Sequence, residues 1–252
     1  LLADLCARFS ENSPAAPVNA PNSPYRPVLS SAARPATFEV RAVDETGAER
    51  ATPIAGEHPL TLYVDKQEVL TLMTLGAAPE ALAIGYLRNQ RLVDAVEDIV
   101  SVQVDWEVEA VVVKTRKGLA NLRAKTRKLT RTTGCGQGTM FGDLMEDIER
   151  VRLPAGATLT RATLYALLDR VRLHETIYKQ AGAVHGCALA TNDPAGASEI
   201  LMFVEDVGRH NAVDAIAGQM WLDRIDGGDK IFYTTGRLTS EMVIKAAQMG
   251  IP

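Results

Sequence analysis

Residues 199–249 read EILMFVEDVGRHNAVDAIAGQMWLDRIDGGDKIFYTTGRLTSEMVIKAAQM, and this stretch decides the fold. An apolar run from Glu199 to Val204 has strand character and ends on two acids, Glu205 and Asp206. A helical pattern follows from Asn211 to Leu222, then a Gly-Gly turn at 227 and 228, a strand from Lys230 to Thr234 and a helix from Thr239 to Met249. Strands alternating with helices predict parallel crossover units in an α/β layer. Upstream, Ala183 to Ala190 reads as a strand joined to the first run through a turn at Asp193-Pro-Ala-Gly196. Thr160 is placed to cap a longer helix whose Leu164, Leu167, Leu168, Val171 and Ile177 line one side, and Asp143 to Val151 is helical in pattern.

The N-terminal half has a different rhythm. Six prolines between Glu11 and Pro35, among Ser, Ala and Asn, predict a disordered or extended tail over residues 1–36. Alternation resumes at Thr37 to Val43, a turn lies at Asp44 to Gly47, and a second strand near Glu49 to Ile54 completes a hairpin. Leu60 to Val64 and Glu68 to Met73 form another pair around Asp65-Lys66-Gln67. Pro79 opens a helix with Leu82, Ala83, Tyr86 and Leu87 on one face, and strands at Ile99 to Val104 and Val108 to Val113 close the region. The expected organisation is a tail (1–36), a β-rich region (37–115), a basic segment with a cysteine loop (116–140) and a C-terminal domain (141–252). Because Pro252 follows a helix where a strand would come next, further C-terminal chain is expected beyond it.

Composition narrows the classes of function. Of 252 residues, 46% are hydrophobic and 23% charged, the balance of a folded globular chain. A mean hydropathy of −0.02 and the lack of an apolar run near about 20 residues leave no candidate transmembrane helix. A net charge of −4 argues against broad adhesion to nucleic acid or anionic lipid, so any basic site is local. The widely spaced Cys6, Cys135 and Cys187 suit a reducing compartment better than a disulfide framework, and the chain is expected to be cytoplasmic.

Between Val111 and Phe141 there is no acid, while Lys114, Arg116, Lys117, Arg123, Lys125, Arg127, Lys128 and Arg131 crowd the window. This is either a solvated strand or linker, or an electropositive approach to a phosphate-bearing ligand. Directly after it, Gly134-Cys135-Gly136 sets a cysteine among residues with almost no side chain to bury it. Neighbouring cations favour the thiolate, the nucleophilic form, and Gly-loop amides can cradle an anion. A structural zinc would want four Cys or His ligands in paired spacings, and C-x-x-C is absent, so no metal is expected. His185 and Cys187 lie on a predicted apolar strand, where Cys187 reads as inert. Glu205, Asp206, Gly208, Arg209, His210 and Asn211 gather at a strand-to-helix junction, the place where ligands bind in α/β layers. The turn holding Gly236, Arg237, Thr239 and Ser240 repeats the arrangement after the next strand: Gly236 permits close backbone approach, and Arg237 with the helix N-terminus offers anion binding. The two turns, taken as ends of adjacent strands, are expected to converge on one pocket.

Four ordered blocks, Gly134-Cys135-Gly136, Gly182 to His185, Glu205 to Asp214 and Thr235 to Val243, followed by Lys245-Ala-Ala and Gly250-Ile-Pro252, resemble the formate dehydrogenase accessory sulfurtransferase family, FdhD-like, from roughly Leu60 to Pro252. The resemblance implies an α+β or α/β chain: a small N-terminal β-rich region and a C-terminal three-layer domain of cytidine-deaminase-like fold. It implies a cytoplasmic homodimer, without nucleic-acid or membrane partners, that takes sulfur from a cysteine desulfurase as a Cys135 persulfide. The sulfur would pass to the molybdenum or tungsten bis-guanine-dinucleotide cofactor, a substrate that GDP would mimic, on its way to the formate dehydrogenase catalytic subunit. No permanently bound cofactor is implied. Carried onto this chain, Gly134, Gly136, His185, Glu205, Asp206, Gly208, Arg209, His210, Gly236, Arg237 and Ser240 would face the cofactor. Two departures stand out: Gly138 occupies the place of the family's second loop cysteine, and the family continues past Gly-Ile-Pro. A non-catalytic chaperone that holds the cofactor is the rival reading. A deaminase-like zinc hydrolase fails for want of H-x-E and P-C-x-x-C.

Overall fold

The computed structural model describes residues 25–118, 151–174 and 176–252. The N-terminal part comprises β1 (Val28–Leu29), β2 (Thr37–Val43), β3 (Glu49–Ala55), β4 (His58–Val64), β5 (Gln67–Thr74), α1 (Pro79–Asn89), β6 (Ile99–Asp105) and β7 (Ala110–Thr115). Five strands make a mixed sheet in the order β1-β6-β7-β4-β5, and β2 and β3 pair as a separate antiparallel hairpin. The turn between β2 and β3 is fastened by Asp44, whose Oδ1 accepts from the Thr46 N–H and hydroxyl and from the Ala48 N–H. Strict alternation along β4 buries Leu60, Leu62 and Val64 against α1, which contributes Ala83, Ile84, Tyr86 and Leu87 to the same cluster. The end of the Pro-rich stretch runs extended along this sheet. Val28 and Leu29 pair parallel with Ser101 and Val102, Tyr25 donates to the Ile99 carbonyl at 2.5 Å, and Trp106 Nε1 donates to the Ala32 carbonyl at 2.6 Å. Buried Glu80 ties the segment to α1, accepting from the Ser30 hydroxyl and the Ala32 N–H.

The second part holds α2 (Arg161–Leu173), α3 (Ile177–Ala181), β8 (His185–Thr191), β9 (Ile200–Asp206), α4 (Arg209–Leu222), β10 (Lys230–Thr234) and α5 (Ser240–Gln248). Thr160 caps α2 as expected, accepting from the Thr163 N–H. The buried stripe is narrower than the sequence suggests: Thr163, Leu167 and Val171 are buried, four residues apart, whereas Leu164 is exposed. Ile177 does not extend this helix, because His174 turns extended and Thr176 caps a new one, α3, by accepting from the Lys179 N–H. Of the helical pattern expected over 143–151, residues 143–150 lie outside the described residues, and Val151 is not helical.

The expected parallel crossover forms once, as β9–α4–β10, but its two strands are not neighbours. The strands order as β10-β8-β9, both pairings antiparallel. The β8–β9 hairpin already fills one side of β8, so after α4 the chain returns on the other side. Strands β9 and β10 therefore run the same way with β8 between them. Alternation along β9 sends Met202 and Val204 to the α4 cluster and Phe203 to the α2 cluster, and a bulge between the Leu189 and Ala190 pairings turns Ile200 to the α2 side as well. Helix α2 thus covers one face of the sheet and α4 the other, with Met242 of α5 also in the α4 cluster.

Twelve of the fourteen α4 residues are buried, because this helix also packs on α1. A Cβ on Gly85 would lie 1.6 Å from the Asp214 carbonyl oxygen, and one on Gly218 would lie 1.9 Å from that of Ala81. Only hydrogen fits at either position. Beside the crossing, Asp214 and Lys245 form a fully buried ion pair at 2.6 Å, and Asn89 donates to the other Asp214 oxygen at 2.7 Å, so one carboxylate links α1, α4 and α5. Gly218→Ala is expected to lower stability by about 3 kcal/mol or more, since the obstacle is backbone and cannot move aside. Lys245→Met strands a buried charge and is expected to cost about 3–5 kcal/mol. The urea midpoint of each variant checks both.

Candidate functional site

Strand β8 starts at one end of the small sheet and β9 and β10 finish there: His185 pairs with Asp206, and Cys187 with Thr234. Each incoming strand turns directly into a helix, so the N-termini of α4 and α5 meet the same rim. Gly208 and Thr239 occupy the two N-cap positions, and neither supplies a side-chain cap. Amides at such helix starts carry partial positive charge and suit an anion.

The acids of the first turn face inward. Asp206, 5% exposed, accepts from the Thr74 hydroxyl at 2.5 Å and the Leu75 N–H at 3.2 Å through one oxygen, and from Gly208 N–H and Asn211 Nδ2 through the other. Burial pushes its carboxyl above the usual carboxylate range, opposed by these four donors. Asn211 also donates to the Met73 carbonyl at 2.6 Å, so Asp206 and Asn211 together clamp the turn to the end of β5. Glu205 accepts from the Ile177 and Tyr178 N–H groups and so caps α3. Both carboxylates are engaged in holding the chain.

The cationic groups of the rim differ in setting. Arg209 is buried, 8% exposed, and its Nε has no hydrogen-bond partner among the described residues. Buried donors without acceptors are costly, which marks this guanidinium as poised for an acceptor outside the described residues. His210 is buried with Nε2 2.9 Å from Glu241 Oε2, joining the first turns of α4 and α5. His185 is half-buried; desolvation first, then the charges of Arg209 and His210, lower its pKa below the ordinary imidazole value, favouring the neutral ring. Arg237 and Ser240 are exposed at the start of α5, and the Thr239 hydroxyl oxygen is buried without a partner among the described residues.

The two turns do meet, although their strands are not adjacent. Thr235 N–H donates to the Gly186 carbonyl, and Gly186 N–H to the Thr235 hydroxyl, which swings the β10 turn across β8. Gly236 then lies against the Arg209 stem. Cys187 sits beneath them, fully buried, with its Sγ 3.4 Å from the Thr234 hydroxyl, and burial pushes its thiol up to about 12. Gly134, Cys135 and Gly136 lie outside the described residues, as do five of the eight basic residues of the preceding stretch. Of the other three, Lys114 is exposed; Arg116 donates to the Glu97 carbonyl and stacks over Tyr25, and Lys117 approaches Asp98 at 3.8 Å. A cavity of about 460 Å³ flanks the site beside α3, lined by His174, Gln180, Phe203 and Glu205 among others; of the residues singled out from the sequence it includes Glu205. Thr74, which holds Asp206 from 132 residues away, had no local sequence signal.

Comparison with known proteins agrees with this architecture. The FdhD/NarQ family model matches residues 55–252. A protein named sulfur carrier protein FdhD from Wolinella succinogenes is 28% identical over 205 residues, covering 81% of this chain and 70% of its own. The protein of that name from Listeria monocytogenes is 30% identical over 208 residues, covering 81% of this chain and 77% of its own. A crystal structure of a candidate formate dehydrogenase accessory protein from Desulfotalea psychrophila superposes with a TM-score of 0.65 at 26% identity, covering 86% of this chain and 82% of that one. With a family match over more than half its length, a shared mixed α/β fold and the junction motifs on one rim, the chain belongs to the FdhD/NarQ family.

Proposed function

We propose that this chain is a sulfur carrier in the maturation of formate dehydrogenase, acting in the cytoplasm as a homodimer. Sulfur arrives on a cysteine desulfurase persulfide. The Cys135 thiolate attacks the outer sulfur, the S–S bond of the donor breaks, and the desulfurase cysteine leaves as its thiolate. The outer sulfur then passes to the molybdenum or tungsten bis-guanine-dinucleotide cofactor, the substrate: the persulfide S–S bond breaks, Cys135 leaves as its thiolate with that bond's electron pair, and the substrate's metal in its reduced state supplies the two electrons that turn the transferred sulfur into sulfide. The finer fold assignment, a cytidine-deaminase-like three-layer domain, belongs to the same reading; the α2/sheet/α4 layering supports it.

The observation that carries the proposal is the rim where α4 and α5 both start without a side-chain cap and the buried Arg209 Nε has no hydrogen-bond partner among the described residues. Charge-assisted hydrogen bonds from a guanidinium are suited to the phosphates that link guanine to the pterin of such a cofactor. Cofactor binding on the rim is common to the sulfur-carrier and chaperone readings, and Cys135 separates them.

Cys135→Ala is expected to keep the wild-type melting temperature but lose support of formate dehydrogenase activity. Intact mass after incubation with a desulfurase and cysteine should show one added sulfur on the wild type and none on the variant. Full activity of Cys135→Ala would leave the chaperone. Cys187, with a thiol pushed up to about 12 and no exposure, stays protonated at neutral pH. Cys187→Ala is therefore expected to load sulfur as the wild type does, and peptide maps during turnover should lack a Cys135–Cys187 disulfide.

A further inference from the structure

Gly236 is not a glycine of conformational necessity. Its backbone does not enter the left-handed region, so its conformation is open to any residue. What forbids a side chain there is one neighbour: a Cβ on Gly236 would lie 2.6 Å from Arg209 Cδ, 3.2 Å from Cβ and 3.5 Å from Cγ. The three nearest atoms all belong to the Arg209 stem. That stem runs through the space a side chain at position 236 would fill.

The turn carrying Gly236 is itself held. Gly236 N–H donates to the Thr234 hydroxyl at 3.1 Å, and Thr235 is hydrogen-bonded in both directions to Gly186 of the central strand. Arg209 is the first residue of α4, whose start is fixed by Asp206 and Asn211 to the end of β5. Two anchored turns therefore meet at the Arg209 stem. They bury its stem and leave Nε without a protein acceptor among the described residues.

We propose that Gly236 is a positioning residue: its missing side chain seats the Arg209 stem across the β10–α5 turn, so that the guanidinium is held in one orientation for a diphosphate. The inference rests on the reading that this rim receives the phosphates of a guanine-nucleotide-bearing substrate. The ligand class follows from the donor: the paired Nη hydrogens of a fixed guanidinium form a planar fork matched to two phosphate oxygens. A methyl group at 236 forces Arg209 into another rotamer and turns the fork away, without touching ligand itself. Arg237, exposed on the same turn, is not held in this way.

Calorimetric titration of the full chain with GDP tests the proposal. Arg209→Ala should weaken binding about tenfold or more, the loss expected for charge-assisted bonds. Gly236→Ala should weaken it by a similar factor while Arg237→Ala has a smaller effect. The double variant should bind no more weakly than Arg209→Ala alone, because both changes remove one interaction. If Gly236→Ala lowers the melting temperature, Arg209→Ala in the same chain should restore it, since truncation removes Cγ and Cδ. GDP binding lost in Arg209→Ala but intact in Gly236→Ala overturns the positioning role and leaves the phosphate site standing. Binding unchanged in Arg209→Ala removes the phosphate site from this rim and the positioning role with it. Additive losses in the double variant, or a lowered melting temperature that Arg209→Ala does not restore, also overturn it.

Discussion

The structure depends on one close approach, the crossing of α1 and α4 at Gly85 and Gly218. Each glycine faces the other helix's backbone, with room for hydrogen and nothing larger. At this separation α4 cannot shift or rotate against α1 without a backbone collision. The five-stranded sheet under α1 and the three-stranded sheet under α4 are thereby held in one register. The Asp214–Lys245 pair, dry and braced by Asn89, extends the restraint to α5. A buried ion pair is a weak source of net stability but a strong selector of arrangement, because any packing that separates its members leaves a charge unpaired.

This restraint also explains how the rim is assembled from distant sequence. The first turn of α4 carries Arg209 and His210, the first turn of α5 carries Glu241, and the end of β5 supplies Thr74 and the Met73 and Leu75 backbone. None of these elements could align the others through local hydrogen bonding alone. Once the glycine crossing fixes α4 against α1, the β5 end falls within reach of Asp206, and four donors converge on its carboxylate. Those bonds in turn hold the Gly208 turn so that Arg209 enters the helix in one orientation. Rigid placement of this kind cuts the ordering cost of binding an anion.

Much of this was legible in the sequence, and the failures have physical causes. The hairpins were readable from alternation and from Asp44 and Gly47 turn chemistry, α1 from Pro79, and α2 from its Thr160 cap. All of these are signals that act within a few residues. The order of the small sheet was not readable, because strand–helix–strand alternation is equally compatible with β10 pairing beside β9 or beyond β8. The break between α2 and α3 was missed because Ile177 continues the apolar spacing; the Thr176 cap that interrupts it has the same local character as the Thr160 cap that begins α2. Gly85 and Gly218 read in sequence as weak points of two helices, each about 1 kcal/mol worse than alanine. Their value appears only when the partner helix is in place.

The candidate site shows the same division. Its position at a strand-to-helix junction was legible because Arg, His and Asn beyond an acidic strand end exceed what capping requires. The roles within it were not, since a motif spells out residue types and not the direction each faces. Glu205 and Asp206 look like ligand-facing acids in a linear reading, yet both point into the chain and accept backbone or side-chain donors there. The inversion has an electrostatic logic. A rim proposed to take phosphate would gain nothing from exposed carboxylates, whereas acids turned inward can hold the loops that carry the cations. Their charge is offset by the donors around them. Acidic and basic residues of one short motif are thus sorted by role, the acids building the frame and the guanidinium keeping a donor without a partner among the described residues.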